Sequence, residues 1–152
     1  MGITNRYIKS SAVRVLENKA FEAIKAKHPN FPYPVKPKYR DDNTNALTTC
    51  IIDYINLQPN ASAERINTIG QQIEHRGVKK WVKGSSKTGS SDIHACIKGK
   101  FLAIEVKCAA TGDVYQRPEQ LAYQKEIEIA GGLYMVANDF EQFYNWFVKQ
   151  GF

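Results

Sequence analysis

Asp92, Glu105 and Lys107 are the residues of this 152-residue sequence whose types and spacing could do chemistry. They flank a short turn signal. Asp92 to Ile97 alternates polar and apolar residues, Lys98-Gly99-Lys100 reads as a turn, and Phe101 to Lys107 is a second strand with Leu102, Ile104 and Val106 on one face. A hairpin turning on Lys98-Gly99 pairs Ile97 with Lys100, Ala95 with Leu102 and Ile93 with Ile104, and so sets Asp92 opposite Glu105. Facing residues share one side of a sheet, with Cβ atoms roughly 4.5–5.5 Å apart. Lys107, two residues past Glu105, falls on that same side. The register asks for a lysine at positive φ, which is unusual.

Two facing acids repel and need a compensating cation. Carboxylate oxygens, joined by the backbone carbonyl of Val106, suit Mg²⁺ or Mn²⁺, which keep waters for a substrate phosphate to displace. Lys107 could then orient the attacking water and offset charge on the phosphorane. The plainer alternative is a surface aspartate and an ordinary Glu-Lys strand pair. His94, Cys96 and Cys108 do not make a zinc deaminase site, which needs a glutamate two residues after the histidine and a PCxxC run.

The elements that must position these residues can be read along the chain. Residues 9–27 repeat Val13, Leu16, Ala20, Phe21 and Ile24 at helical steps, with a basic opposite face. Pro29, Pro32, Pro34 and Pro37 make 28–40 an extended strap. A second helix is predicted from Thr44 to Leu57, capped by Asp42 or Asn43 and stopped by Pro59. Short strand-like pieces lie at Arg65 to Ile69 and Val78 to Val82. The stretch from Gly84 to Ser91 has no apolar residue and reads as a flexible loop. Pro118 opens a helix that Gly131 ends, Gly132 to Ala137 is a buried strand, and Asn138 caps a final helix with a core stripe of Phe140, Phe143, Tyr144 and Phe147. The division expected is a basic N-terminal helix and proline strap over 1–40, followed by a mixed α/β domain over 41–152.

Composition bounds the rest. Hydrophobic residues are 43% and charged residues 24% of the chain, which are globular proportions. No apolar run approaches the roughly 18 residues of a membrane span and the N-terminus lacks a signal-peptide core, so the expectation is a cytoplasmic protein without a membrane partner. Cys50, Cys96 and Cys108 read as buried free thiols. The net charge of +6 is unevenly spread: residues 1–40 carry nine Lys/Arg against two acids, and 76–107 carry eight against two. Concentrated basic charge suits a polyanionic partner, with Arg65, Lys83 and Lys87 as candidate phosphate contacts.

Ser91-Asp92, Ala103-Ile104-Glu105-Val106-Lys107, Gly112, Pro118-Glu119-Gln120 and Gly131-Gly132-Leu133-Tyr134, with Arg65-Ile66-Asn67-Thr68 and Gly70 upstream, resemble the VRR-NUC branch of the PD-(D/E)XK nucleases. The likeness runs over residues 44–137. It implies a restriction-endonuclease-like core, a mixed central sheet flanked by helices, and metal-dependent hydrolysis of DNA. It makes Asp92 and Glu105 the metal ligands, Lys107 the catalytic lysine, and Gln120 the glutamine on the helix behind the site. Ser91 stands where the branch has proline, and the helix from Thr44 offers Asp53 off its apolar face instead of the glutamate many relatives carry. A Holliday-junction or flap resolvase and a catalytically weak nucleic-acid-binding module of the same fold remain alternatives. A phage or mobile-element origin and a homodimer that cuts two strands follow by analogy.

Overall fold

The computed structural model describes residues 6–67, 70–82, 84 and 86–152. Its elements run α1 (Ser11–Lys27), α2 (Thr44–Asn56), β1 (Ala61–Arg65), β2 (Gln71–His75), β3 (Val78–Val82), β4 (Ile93–Ile97), β5 (Lys100–Val106), α3 (Pro118–Ile129), β6 (Leu133–Ala137) and α4 (Phe140–Lys149). Among the described residues no helix is long and apolar enough to cross a membrane.

Capping side chains open three of the helices. Ser10 Oγ accepts the Val13 N–H at 3.3 Å and Asn43 Oδ1 accepts that of Ala46 at 2.9 Å, each satisfying a donor the helix itself leaves orphaned. At α4 the cap is Asp139, whose carboxylate accepts the Gln142 N–H at 2.8 Å; Asn138, the expected cap, lies one residue too early. The strand expected from Arg65 to Ile69 also lies earlier, at Ala61–Arg65, and Thr68 and Ile69 fall outside the described residues. Small Ala61, Ser62 and Ala63 give a weak strand signal alone. They are held by pairing with β4 and by the Asn56 carboxamide, which grips both the N–H and the C=O of Ala63 at 2.8 and 3.1 Å.

Four strands form one mixed sheet in the order β1-β4-β5-β6, with β6 parallel to β5 and the other pairs antiparallel. The β4–β5 hairpin has the register that a turn on Lys98-Gly99 predicts, Ile93 with Ile104 through Ile97 with Lys100. Lys98 at φ 49° and Gly99 at φ 81° make the turn, and the Lys98 N–H is taken by the Asn60 carbonyl at 2.9 Å. Successive left-handed residues twist with the strands they join, which compensates for placing a lysine there.

Period two then divides the hairpin. Ile93, Ala95, Ile97, Leu102, Ile104 and Val106 turn to one face and enter a single core with α1, α2 and α4. Tyr54 of α2 meets Phe140, Phe143, Tyr144 and Phe147 of α4 edge-on at centroid separations of 5.4–6.2 Å. Each fully buried aromatic contributes about 1.5–3 kcal/mol by leaving water, so this face anchors the sheet. Ala12, Val13 and Leu16 of α1 belong to the same core, so the basic helix is packed into the domain. The proline strap is tied back by Glu17, which accepts the Tyr39 N–H at 2.9 Å and pairs with Lys9. Burial pushes the Glu17 carboxyl up, but those two partners outweigh it and its pKa ends below the ordinary value.

The opposite face of the sheet carries α3. Tyr123 stacks on His94 with its hydroxyl 2.9 Å from Nε2, and Phe101 meets the same ring at 5.2 Å. One expectation fails on this face. Cys96, read as buried, is exposed there, whereas Cys50 and Cys108 are buried as expected. Alternation puts Cys96 opposite the core, and α3 does not extend over it.

Candidate active site

Asp92 immediately precedes Ile93, the first paired residue of β4. Its backbone carbonyl accepts the Ile66 N–H at 2.8 Å, and the buried Ser91 turns its hydroxyl to the Ile93 carbonyl at 3.1 Å. So fixed, Asp92 Oδ2 accepts the Val106 N–H at 2.9 Å. The next N–H along the chain, that of Lys107 just past β5, goes the other way to Ala137 of β6 at 2.8 Å. An extended strand sends a residue's N–H and C=O to the same edge, so the Val106 carbonyl opens on the side of Asp92, where β4 has ended.

Glu105 is 2% exposed. Gln120, also buried, donates its amide to Glu105 Oε1, and its own Oε1 accepts the Arg117 N–H at 2.9 Å. One side chain thus closes the first turn of α3 and fixes the carboxylate across from it. Glu105 Oε2 is buried and has no hydrogen-bond partner among the described residues. Lys107 Nζ lies 3.4 Å from Glu105 Oε1 and 3.5 Å from Asp113 Oδ1. Burial, and then the charge of Asp92, push the Glu105 carboxyl up to about 7; Lys107 and Arg117 pull against that shift without cancelling it. An anion held in so dry a place with one oxygen unpaired needs a further positive charge or a proton.

The side chains open into a cleft of about 510 Å³, lined by Asp92, Glu105, Val106, Lys107 and Gln120 on the sheet and α3 side. Thr44 at the start of α2 and Ser86 to Ser90 of the loop add to its walls. That loop is less free than its composition suggests. Gly89 sits at φ 81° with its backbone against α3, where a Cβ would collide with the Glu119 carbonyl, and Ser90 and Ser91 are buried. Two hard carboxylates, one with an orphaned buried oxygen, and a backbone carbonyl form a donor set that fits a small divalent cation. Among the described residues no group of three or more His, Cys, Asp and Glu side chains gathers as a metal cage. Water and phosphate would have to fill the remaining positions.

Asp92, Glu105, Val106, Lys107 and Gln120 are therefore brought together, and Lys87 lines the same cleft while pairing with Glu126. Arg65 is not among the lining residues; it lies on the core side of the sheet edge and donates to Asn45 Oδ1 at 2.9 Å. Lys83 lies outside the described residues. Asp53 accepts the Tyr39 hydroxyl at 2.8 Å beside the strap and has no part in the cleft. His94 is half-buried under Tyr123, where burial lowers its pKa, and packs α3 onto the sheet. Asp113 and Arg117 are lining residues that the motifs did not include, and Glu119, quoted within one, lines the cleft as well. Their signal was positional, since the segment joining β5 to α3 must return across the sheet end that carries Asp92. No family model and no curated protein matches this chain.

Proposed function

We propose that this protein is a metal-dependent nuclease of the restriction-endonuclease-like, VRR-NUC type, hydrolysing DNA phosphodiester bonds in phage replication, recombination or repair. The observation that carries the reading is the buried Glu105 carboxylate, held by Gln120 on one oxygen and orphaned on the other, beside Asp92 and Lys107. The orphaned oxygen costs a purely structural glutamate free energy, whereas a bound cation would satisfy it. A mixed sheet flanked by helices, with the site at the end of its central hairpin, supports the fold assignment.

Asp92, Glu105 and the Val106 carbonyl would hold Mg²⁺ or Mn²⁺. The bound ion supplies Lewis-acid activation of the phosphate and lowers the pKa of a coordinated water. Gln120 keeps Glu105 in the ligating rotamer. Lys107, kept near Glu105 by its own charge, orients the attacking water and offsets charge in the transition state. The position of Asp53 favours a second reading, a nucleic-acid-binding module with weak turnover, because α2 supplies no third acid to the cleft.

Labelled duplex, flap, single-stranded and four-way-junction DNAs, each with Mg²⁺ or EDTA, test both readings. Cleavage is expected with metal and none in EDTA. Asp92→Asn and Glu105→Gln should abolish it by removing metal-binding charge, whereas Lys107→Ala should keep metal binding and lose the chemical step by orders of magnitude. Binding without cleavage by the wild type would leave the module, and equal cleavage by all three variants would move the active site elsewhere.

A further inference from the structure

Strands β2 and β3 form a two-stranded sheet of their own, with five residue pairs from Gln71–Val82 to His75–Val78. Arg76 at φ 52° and Gly77 at φ 77° make its two-residue tip. Every residue from Gln72 to Val82 is exposed, including Trp81 at 65% and Val78 at 67%. An isolated ribbon is marginal in water, and one that leaves apolar side chains bare on both faces points to a surface that something covers.

Charge states the kind of partner. Arg76, Lys79 and Lys80 stand against Glu74 alone, and the pairing puts Lys79 on one face, Lys80 on the other and Arg76 at the tip. Cations on both faces suit a slot with two anionic walls. A sheet is about 10 Å thick through its side chains, which fits the roughly 12 Å major groove of B-form DNA and exceeds the roughly 6 Å minor groove. The deep, narrow major groove of double-stranded RNA would not admit it. Five residues reach about 17 Å, enough for the tip to meet the floor of a groove about 8.5 Å deep. Position adds to this, because β3 leads within a few residues into the loop whose Ser86 to Ser90 line the cleft.

We infer that the β2–β3 ribbon is a duplex-gripping arm that enters the major groove of B-form DNA and holds the backbone over the cleft. The inference rests on the DNA-hydrolysing reading for the cleavage step, but the binding itself requires no turnover. Lys79 and Lys80 meet phosphates on the two groove walls, and Arg76 at the tip reaches the base edges on the floor. Trp81, at the base of the ribbon with its indole against Gly70, is placed to pack on the outer sugar-phosphate edge.

The test is fluorescence anisotropy in EDTA, with a 30-base-pair DNA duplex, a double-stranded RNA of equal length and the single strand, across a salt series. Wild type is expected to prefer the DNA duplex and to be displaced by the major-groove ligand methyl green but not by netropsin. Arg76→Gln, Lys79→Gln and Lys80→Gln together should lower duplex affinity at least tenfold and reduce the slope of log affinity against log salt by about one for each phosphate left unneutralised. Trp81→Ala alone should weaken binding with the slope unchanged. All these side chains are exposed, and an unchanged unfolding midpoint would verify folding. If wild type binds and cleaves DNA while the triple variant keeps its affinity and slope, the arm is refuted and the nuclease reading stands. If the triple variant loses binding but wild type never cleaves, the arm stands and the nuclease reading falls. Displacement by netropsin alone, equal affinity for double-stranded RNA, or a change of molecular mass by light scattering in the variants would each overturn the inference, the last by making the ribbon a self-association surface. A wild type that binds no duplex at low salt would overturn both.

Discussion

Glu105→Gln should make the metal-free protein more stable at alkaline pH, although it destroys the proposed metal site. The Glu105 carboxyl has an ordinary value of 4.5 and is raised to about 7 in the fold. Between those pH values the native state binds a proton that the unfolded chain has released, so folding stability falls as pH rises. The full linkage is about 3 kcal/mol, lost by the time pH passes the folded value. Glutamine keeps an oxygen for the Gln120 amide and has no proton to lose. It also removes an acid neighbour of Lys107, which retains Asp113 at 3.5 Å. The net gain expected in EDTA at pH 8.5 is therefore about 1–3 kcal/mol, a rise of several degrees in Tm for a domain of this size. At pH 5 the two proteins should come close together. Mg²⁺ should reverse the order at pH 8.5, stabilising wild type by about 4.1 kcal/mol at a thousand times its Kd and leaving the variant unmoved. Urea unfolding at the two pH values, with and without Mg²⁺, reads all of these effects. A variant less stable than wild type by the same amount at both pH values would show that Glu105 is not a strained buried acid, and the reasoning from its orphaned oxygen would fail.

Protons and metal compete for the same carboxylate, so cleavage at limiting Mg²⁺ should rise with pH through about 7, with an inflection that moves to lower pH as Mg²⁺ is increased; an inflection fixed at all metal concentrations would argue against Glu105 as a ligand. Gly89→Ala should cost more than about 2 kcal/mol by urea unfolding, since it adds a Cβ at positive φ and drives it into Glu119, whereas Gly99→Ala, at the same φ but with nothing near, should cost about 1 kcal/mol. Equal costs would mean that the loop does not pack on α3. A thiol reagent should label Cys96 rapidly and spare Cys50 and Cys108 until the chain unfolds, because burial removes access to both and pushes the Cys50 thiol up to about 12. Rapid labelling of more than one thiol would contradict the packing of α2 and of the segment after β5.

The hairpin, and the side of the sheet on which its polar side chains fall, were legible in the sequence because they obey local rules. A period of two fixes which residues share a face, and a two-residue turn fixes register, so the pairing from Ile97 with Lys100 to Ile93 with Ile104 came from the turn and the alternation together, and with it the meeting of Asp92 and Glu105 in one cleft. The helices and the proline strap were equally local, as stripes, caps and ring constraints. Tertiary structure decided whatever depends on two segments meeting. That Gln120 grips Glu105 comes from α3 crossing the sheet between β5 and β6, and no spacing within α3 encodes it. That Asp53 serves the strap, that His94 is a packing residue and that Arg65 turns to Asn45 depend on which face each element presents to its neighbour. The pKa of Glu105 belongs to this second class, since desolvation is set by everything packed around a group and the sequence names only the group.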